Sequence, residues 1–177
     1  SEAEEAKKTV EEISERLREA LRRSEEETER ILRENEKASE RHKTEIEKIT
    51  KELEDKLGDD KRVREEIERL RRNVEKLNKE NREAAEELKR RAKEVHDRVR
   101  KKLRELEDKV DKLRRKGKDR DKDELKKVLK EIEDTVRRIV KELEDLNTEA
   151  EKASRKSVKE LEEHLKRVEE RVREEAK

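Results

Sequence analysis

Three histidines, His42, His96 and His164, are the residues best equipped for acid–base or metal chemistry, and small polar side chains recur near them along the chain. A zinc site built on all three would need each ring nitrogen about 2.1 Å from one ion. With one histidine per helix, counting residues from the turns puts His42 and His164 at one level. His96 falls about 20 residues further along, on the order of 30 Å away. Two histidines with a carboxylate is the metal arrangement this leaves open. Asp119, Asp121 and Asp123 imitate the start of a calcium loop of the EF-hand type, which needs Gly at its sixth position and Glu at its twelfth. Those positions hold Glu124 and Lys130, so the aspartates read as helix caps. Ser and Thr accompany His, but there is no glycine-built oxyanion site and no candidate substrate pocket. The expectation is no catalytic residue, no bound metal, no cofactor and no small-molecule substrate.

The elements that hold these residues follow from composition. The chain has 177 residues, 62% charged and 26% hydrophobic, with no aromatic residue, cysteine, methionine or proline. A pool of Leu, Ile, Val and Ala builds only a thin, linear core, and Ala, Glu, Lys, Leu and Arg are strong helix formers. All-helical is the expected class. Without cysteine there is no disulfide framework or thiolate site. No run approaches the roughly 18 apolar residues of a membrane span, and Ser1 to Ala6 lack the basic and apolar regions of a leader. A soluble chain with no address is expected, its localisation unassigned.

Two interruptions, Leu57-Gly58-Asp59-Asp60 and Lys116-Gly117-Lys118-Asp119-Arg120-Asp121, divide the chain into three stretches of near-equal length. Glycine just past a helix end tolerates the left-handed conformation that closes it, and aspartate before the next helix accepts from its free amides. Connections this short join antiparallel neighbours. The spacing predicts one domain over 1–177, an up-down-up antiparallel three-helix bundle with helices at about 2–57, 61–116 and 121–176. Helices of about 55 residues would run about 80 Å.

The apolar stripe shows that the helices must pack. In the first it runs Val10, Ile13, Leu17, Leu21, Ser24, Thr28, Ile31, Asn35, Ser39, His42, Ile46, Ile49, Leu53, Leu57, which is 47 residues in 13 steps. The second carries Val63 through Val110 to Leu113, and the third Leu125 to Ala176, at the same mean spacing. About 3.6 residues per step matches a straight helix, whereas 3.5 would impose a supercoil. Nearly straight helices are expected. Residues 61–116 hold 23 basic and 14 acidic side chains, against 14 and 19 in residues 1–57 and 16 and 18 in residues 121–177. A basic stretch could mark a nucleic-acid surface, but no aromatic is present for base stacking and Glu is mixed throughout. Helix pairing by charge is the preferred reading. No Trp or Phe anchors a membrane surface.

The stripes also carry polar residues at matching levels. His42, Asn73 and His164 are expected to meet in one layer. Asn35, Ser39, Asn78, Asn81, Ser154 and Ser157 form a second layer, and Ser24, Thr28, His96 and Asn147 a third. An unpaired buried amide or imidazole costs about 1–3 kcal/mol, so such layers make sense only as hydrogen-bonded networks. They would fix register and pairing at some cost in stability.

The idealised Glu/Lys/Arg surface, the Gly58-Asp59-Asp60 turn, the aliphatic core without Met or aromatics and these Asn/Ser/Thr/His layers resemble de novo designed helical bundles with buried hydrogen-bond networks, over the whole chain. The resemblance implies a structural scaffold, and in some members of that class buried histidines act as pH switches. Physically, a neutral imidazole donates and accepts while its protonated form only donates, so acid is expected to break such a network. The alternative is an interaction module whose helices complete a larger bundle with copies of itself or a partner. Extra apolar residues at Leu32, Leu129, Val140 and Leu165 leave room for that. The sequence is compatible with a monomer or a self-associating helical bundle.

Overall fold

A computed structural model describes residues 2–115 and 122–175. Three helices follow one another, α1 (Glu2–Leu57), α2 (Lys61–Arg115) and α3 (Lys122–Glu175), with no strand among the described residues. They form an all-α three-helix bundle. The expected second interruption at 116–121, with Gly117, Asp119 and Asp121, lies outside the described residues, as do Ala176 and the side chains of Val110 and Leu113.

The first turn differs from expectation in one respect. No described glycine has a positive φ, so Gly58 does not close α1 in the left-handed conformation. Its missing side chain has another use: a Cβ there would collide with the Glu54 carbonyl oxygen. Glycine is needed for close approach rather than for handedness. Beyond it the Asp60 amide donates to the Leu57 carbonyl at 3.1 Å. Asp60 Oδ1 then accepts from the Arg62 amide at 2.9 Å, capping α2 as its position suggested.

Contacts group the chain into two compact units, Ser1–Glu29 with Arg90–Glu149 and Arg30–Lys89 with Ala150–Lys177. Each unit takes one segment from each helix. In the first, Val10, Ile13, Leu17 and Leu21 of α1 pack with Val95, Val99 and Leu106 of α2 and with Ile132, Val136, Ile139 and Leu143 of α3 in one aliphatic core. In the second, the contiguous cluster of buried apolar side chains is only Ile46, Leu70 and Val168, flanked by half-buried Ile49, Val74, Leu165 and Val172. Polar side chains occupy much of that unit's interior instead.

Ion pairs between helices follow the charge asymmetry. Arg100 and Arg71 of α2 pair with Glu25 and Glu54 of α1, while Arg91 and Arg98 pair with Glu149 and Glu142 of α3. Within the first unit Arg18 pairs with Glu107 and Glu25 with Arg100, so the numbers run in opposite directions and α1 and α2 are antiparallel there. All these side chains are substantially exposed, so each pair contributes at most about 1 kcal/mol and acts mainly on the choice of neighbour.

Candidate functional site

The polar residues gather into three hydrogen-bonded layers, one in the first unit and two in the second. Each receives side chains from all three helices.

In the first unit Ser24 is the hub. Its hydroxyl donates to Asn147 Oδ1 at 2.6 Å and lies 2.9 Å from His96 Nε2. Asn147 Nδ2 donates to the Ser24 carbonyl and to Thr28 Oγ1, both at 3.2 Å, and Thr28 donates to the same carbonyl at 2.9 Å. A carbonyl only accepts, so it identifies Nδ2 as the atom facing it, and the remaining assignments follow. Ser24 has one proton and gives it to Asn147, so His96 must be the donor to Ser24 Oγ. His96 is the Nε2–H tautomer. This Ser–His contact is therefore oriented oppositely to a nucleophile and its base, since the imidazole offers Ser24 a proton instead of a lone pair.

In the second unit Asn35 and Asn81 exchange amide hydrogen bonds, Asn35 Nδ2 to Asn81 Oδ1 at 3.1 Å and Asn81 Nδ2 to Asn35 Oδ1 at 3.0 Å. Asn35 Nδ2 also reaches Ser154 Oγ at 3.3 Å, and Ser157 donates to Asn81 Oδ1.

The other layer of that unit holds both remaining histidines. His42 Nε2 lies 3.0 Å from His164 Nδ1, and the rings are 5.2 Å apart and tilted by 49°. Asn78 Nδ2 donates to the Val74 carbonyl at 2.8 Å and lies 3.2 Å from His42 Nδ1, while Asn78 Oδ1 accepts from Ser39. The Val74 carbonyl again settles the amide orientation, so His42 Nδ1 must accept. The direction of the chain is then determined: Ser39 to Asn78, Asn78 to His42, His42 Nε2–H to His164 Nδ1.

The expected second layer is thus divided, because Ser39 and Asn78 join the histidines while Asn35, Asn81, Ser154 and Ser157 stay together. Asn73 is a correction. It was expected beside His42 and His164, but it is exposed, and Asn78 takes that place with 1% exposure. At about 100° per residue the two lie about 140° apart around α2, and only Asn78 is on the flank that faces α1. Sequence reasoning also passed over Ser14 and Thr50, both buried. Thr50 donates to the Glu47 carbonyl at 2.9 Å. Ser14 Oγ is the one buried side-chain nitrogen or oxygen without a hydrogen-bond partner among the described residues. A small polar residue beside Ile13 in an aliphatic stripe was the available signal for Ser14.

All three imidazoles are held toward the neutral form, chiefly by burial. His42 is driven down to about 4, first by burial and then by the neighbouring His164. His164 is lowered by burial and by Arg167. His96 is lowered by burial, an effect opposed by Glu25 and Asp97 and reinforced by Arg100. Among the described residues no three His, Cys, Asp or Glu side chains are grouped to hold a metal ion. No helix among them is long and apolar enough to cross a membrane.

Comparison with protein families, curated proteins and solved structures finds no match to this chain.

Proposed function

We propose that this chain is a de novo designed structural scaffold without a natural biochemical activity, in which buried Asn, Ser, Thr and His layers specify which helices pair and in what register. In this reading acid weakens that specification through the buried histidines. The observation that carries it is that each of the three layers is completed only when α1, α2 and α3 all contribute. A one-turn slip would orphan several buried donors and acceptors, at about 1–3 kcal/mol each, whereas an aliphatic seam would tolerate the slip.

The test replaces one layer with apolar residues, Asn35→Leu, Asn81→Leu, Ser154→Ala and Ser157→Ala together. Higher resistance to denaturant, but several masses in light scattering or more than one set of amide resonances, is the expected outcome. A variant that keeps one mass and one set of resonances would show that the layer specifies nothing.

A second reading, an interaction module that completes a larger bundle, draws on the second unit. There half-buried Leu32, Val74 and Ala85 line open grooves between α1 and α2, and Leu57 is 43% exposed. Size-exclusion chromatography with light scattering separates the two: one chain mass favours the scaffold, a multiple favours the module.

A further inference from the structure

We propose that the two histidine layers respond oppositely to acid: protonation dismantles the His42–His164–Asn78 layer, while the Ser24–His96–Asn147 layer takes up a proton with its hydrogen bonds intact. The inference rests on the acid response in the scaffold reading and assigns that response to one site.

The argument is one of vacant lone pairs. His42 and His164 each have one acceptor nitrogen when neutral, and both are in use: His42 Nδ1 accepts from Asn78, and His164 Nδ1 accepts from His42. A proton added to His42 Nδ1 would face the Asn78 amino group. One added to His164 Nδ1 would face His42 Nε2–H. Turning the Asn78 amide over does not relieve this, because its oxygen would then meet the Val74 carbonyl, where the amino group now sits at 2.8 Å. Every route replaces a donor–acceptor contact with two opposed donors or two opposed acceptors.

His96 is arranged the other way. Its internal nitrogen, Nε2, already donates to Ser24 Oγ, and the imidazolium keeps that N–H. The vacant lone pair is on Nδ1. No hydrogen bond engages it, and since Ser14 Oγ is the only buried side-chain nitrogen or oxygen lacking a partner among the described residues, Nδ1 borders solvent. Protonation there adds a donor that water can satisfy.

The surrounding charges reinforce the contrast. Around His96 stand Glu25 from α1 and Asp97 and Arg100 from α2, with Glu25 and Asp97 both favouring the imidazolium, and the α3 residue in its layer is neutral Asn147. At the histidine pair Arg167 on α3 opposes protonation of His164 and His164 opposes that of His42, while Lys43 and Glu47 of α1 and Arg71, Glu75, Lys79 and Arg82 of α2 line a groove on the Asn78 side of the layer. Among the described residues no carboxylate favours either imidazolium of the pair, in contrast to His96.

Imidazole nitrogen resonances and amide exchange of the intact chain, followed from pH 7.5 to 5.0, provide the test. At neutral pH all three rings should show Nε2–H. On acidification His96 should become imidazolium while neighbouring amides of residues 20–28 stay protected. His42 and His164 should stay neutral until amides near residues 39–46 lose protection, by about thirtyfold at pH 5.0 for a site whose unfolded form titrates near 6.5. In parallel, the pair variant His42→Leu/His164→Leu should lose the larger part of the acid shift in denaturation midpoint, and His96→Gln, which can still donate to Ser24, the smaller part. Loss of protection around Ser24 at the same or higher pH than around His42, or the larger part of the shift vanishing in His96→Gln, would overturn this inference while leaving the acid response standing. An unchanged midpoint and unchanged protection across the pH range would remove the acid response itself.

Discussion

The substitution Asn78→Asp changes one atom type in the histidine layer and should remove the larger part of the acid sensitivity that His42 contributes to it. In the unmodified chain His42, 2% exposed, titrates at about 4 when folded and near 6.5 when unfolded. Its folded value is depressed, so the unfolded chain binds more protons between those limits. The stabilisation is complete above pH 6.5 and is lost as pH falls toward 4. From pH 7.5 to 5.0 that loss is about 2 kcal/mol. Aspartate at 78 can still accept from Ser39, but it has no proton for the Val74 carbonyl or His42 Nδ1, so neutral-pH stability should drop by on the order of 2–3 kcal/mol. The same carboxylate, 3.2 Å from Nδ1 in the Asn78 geometry, attracts a proton to His42. An adjacent opposite charge raises a histidine by about 1–3 units. A rise of 2 units would cut the pH-dependent loss between 7.5 and 5.0 to roughly 0.6 kcal/mol. The assay is urea denaturation of both proteins at the two pH values, with ring nitrogen shifts to read the protonation of His42. If Asn78→Asp loses as much stability on acidification as the parent chain, the direction assigned to the Asn78–His42 bond is wrong.

Other perturbations probe the remaining features. Ser14 is 4% exposed with an unpartnered hydroxyl, so Ser14→Ala should raise stability by about 1 kcal/mol, seen as a higher denaturation midpoint. Ser24→Ala should cost on the order of 2–4 kcal/mol in the same assay, because it strands His96 Nε2–H and Asn147 Oδ1 together. Asn73→Ala should change stability by less than about 0.5 kcal/mol, as expected for an exposed position outside the layers. Gly58→Ala should lower the melting temperature, with a cost of about 1 kcal/mol or more, since its Cβ would press on the Glu54 carbonyl.

How much of this was legible in the sequence differs from residue to residue. The helix termini at Leu57 and Lys61 follow from Gly58 and Asp60, and the buried set Val10, Ile13, Leu17, Leu21 and Ile31 follows from a spacing of 3.6. Counting levels from the turn also brings Ser24, Thr28, His96 and Asn147 to one place, because antiparallel helices joined by a short turn keep equal distances from it. Level alone did not separate Asn73 from Asn78. That choice depends on azimuth around α2, five residues and about 140° apart, and the half-buried Val74 and Leu77 between them blur the stripe.

Composition, the two glycine interruptions and the apolar period were sufficient for an all-helical, three-helix bundle, since they act through local backbone preference and burial of a single face. They were also sufficient to say that polar residues enter the core in layers. What the tertiary structure alone decided is the direction of each hydrogen bond. Whether His96 donates, or His42 accepts from Asn78, depends on which partner sits within about 3 Å and which carbonyl leaves the amide no choice of orientation. Apart from the Asn78–Val74 contact within α2, those distances join residues 36 to 123 positions apart in the chain. One-dimensional periodicity carries no information on them, and the protonation chemistry of the layers depends on them entirely.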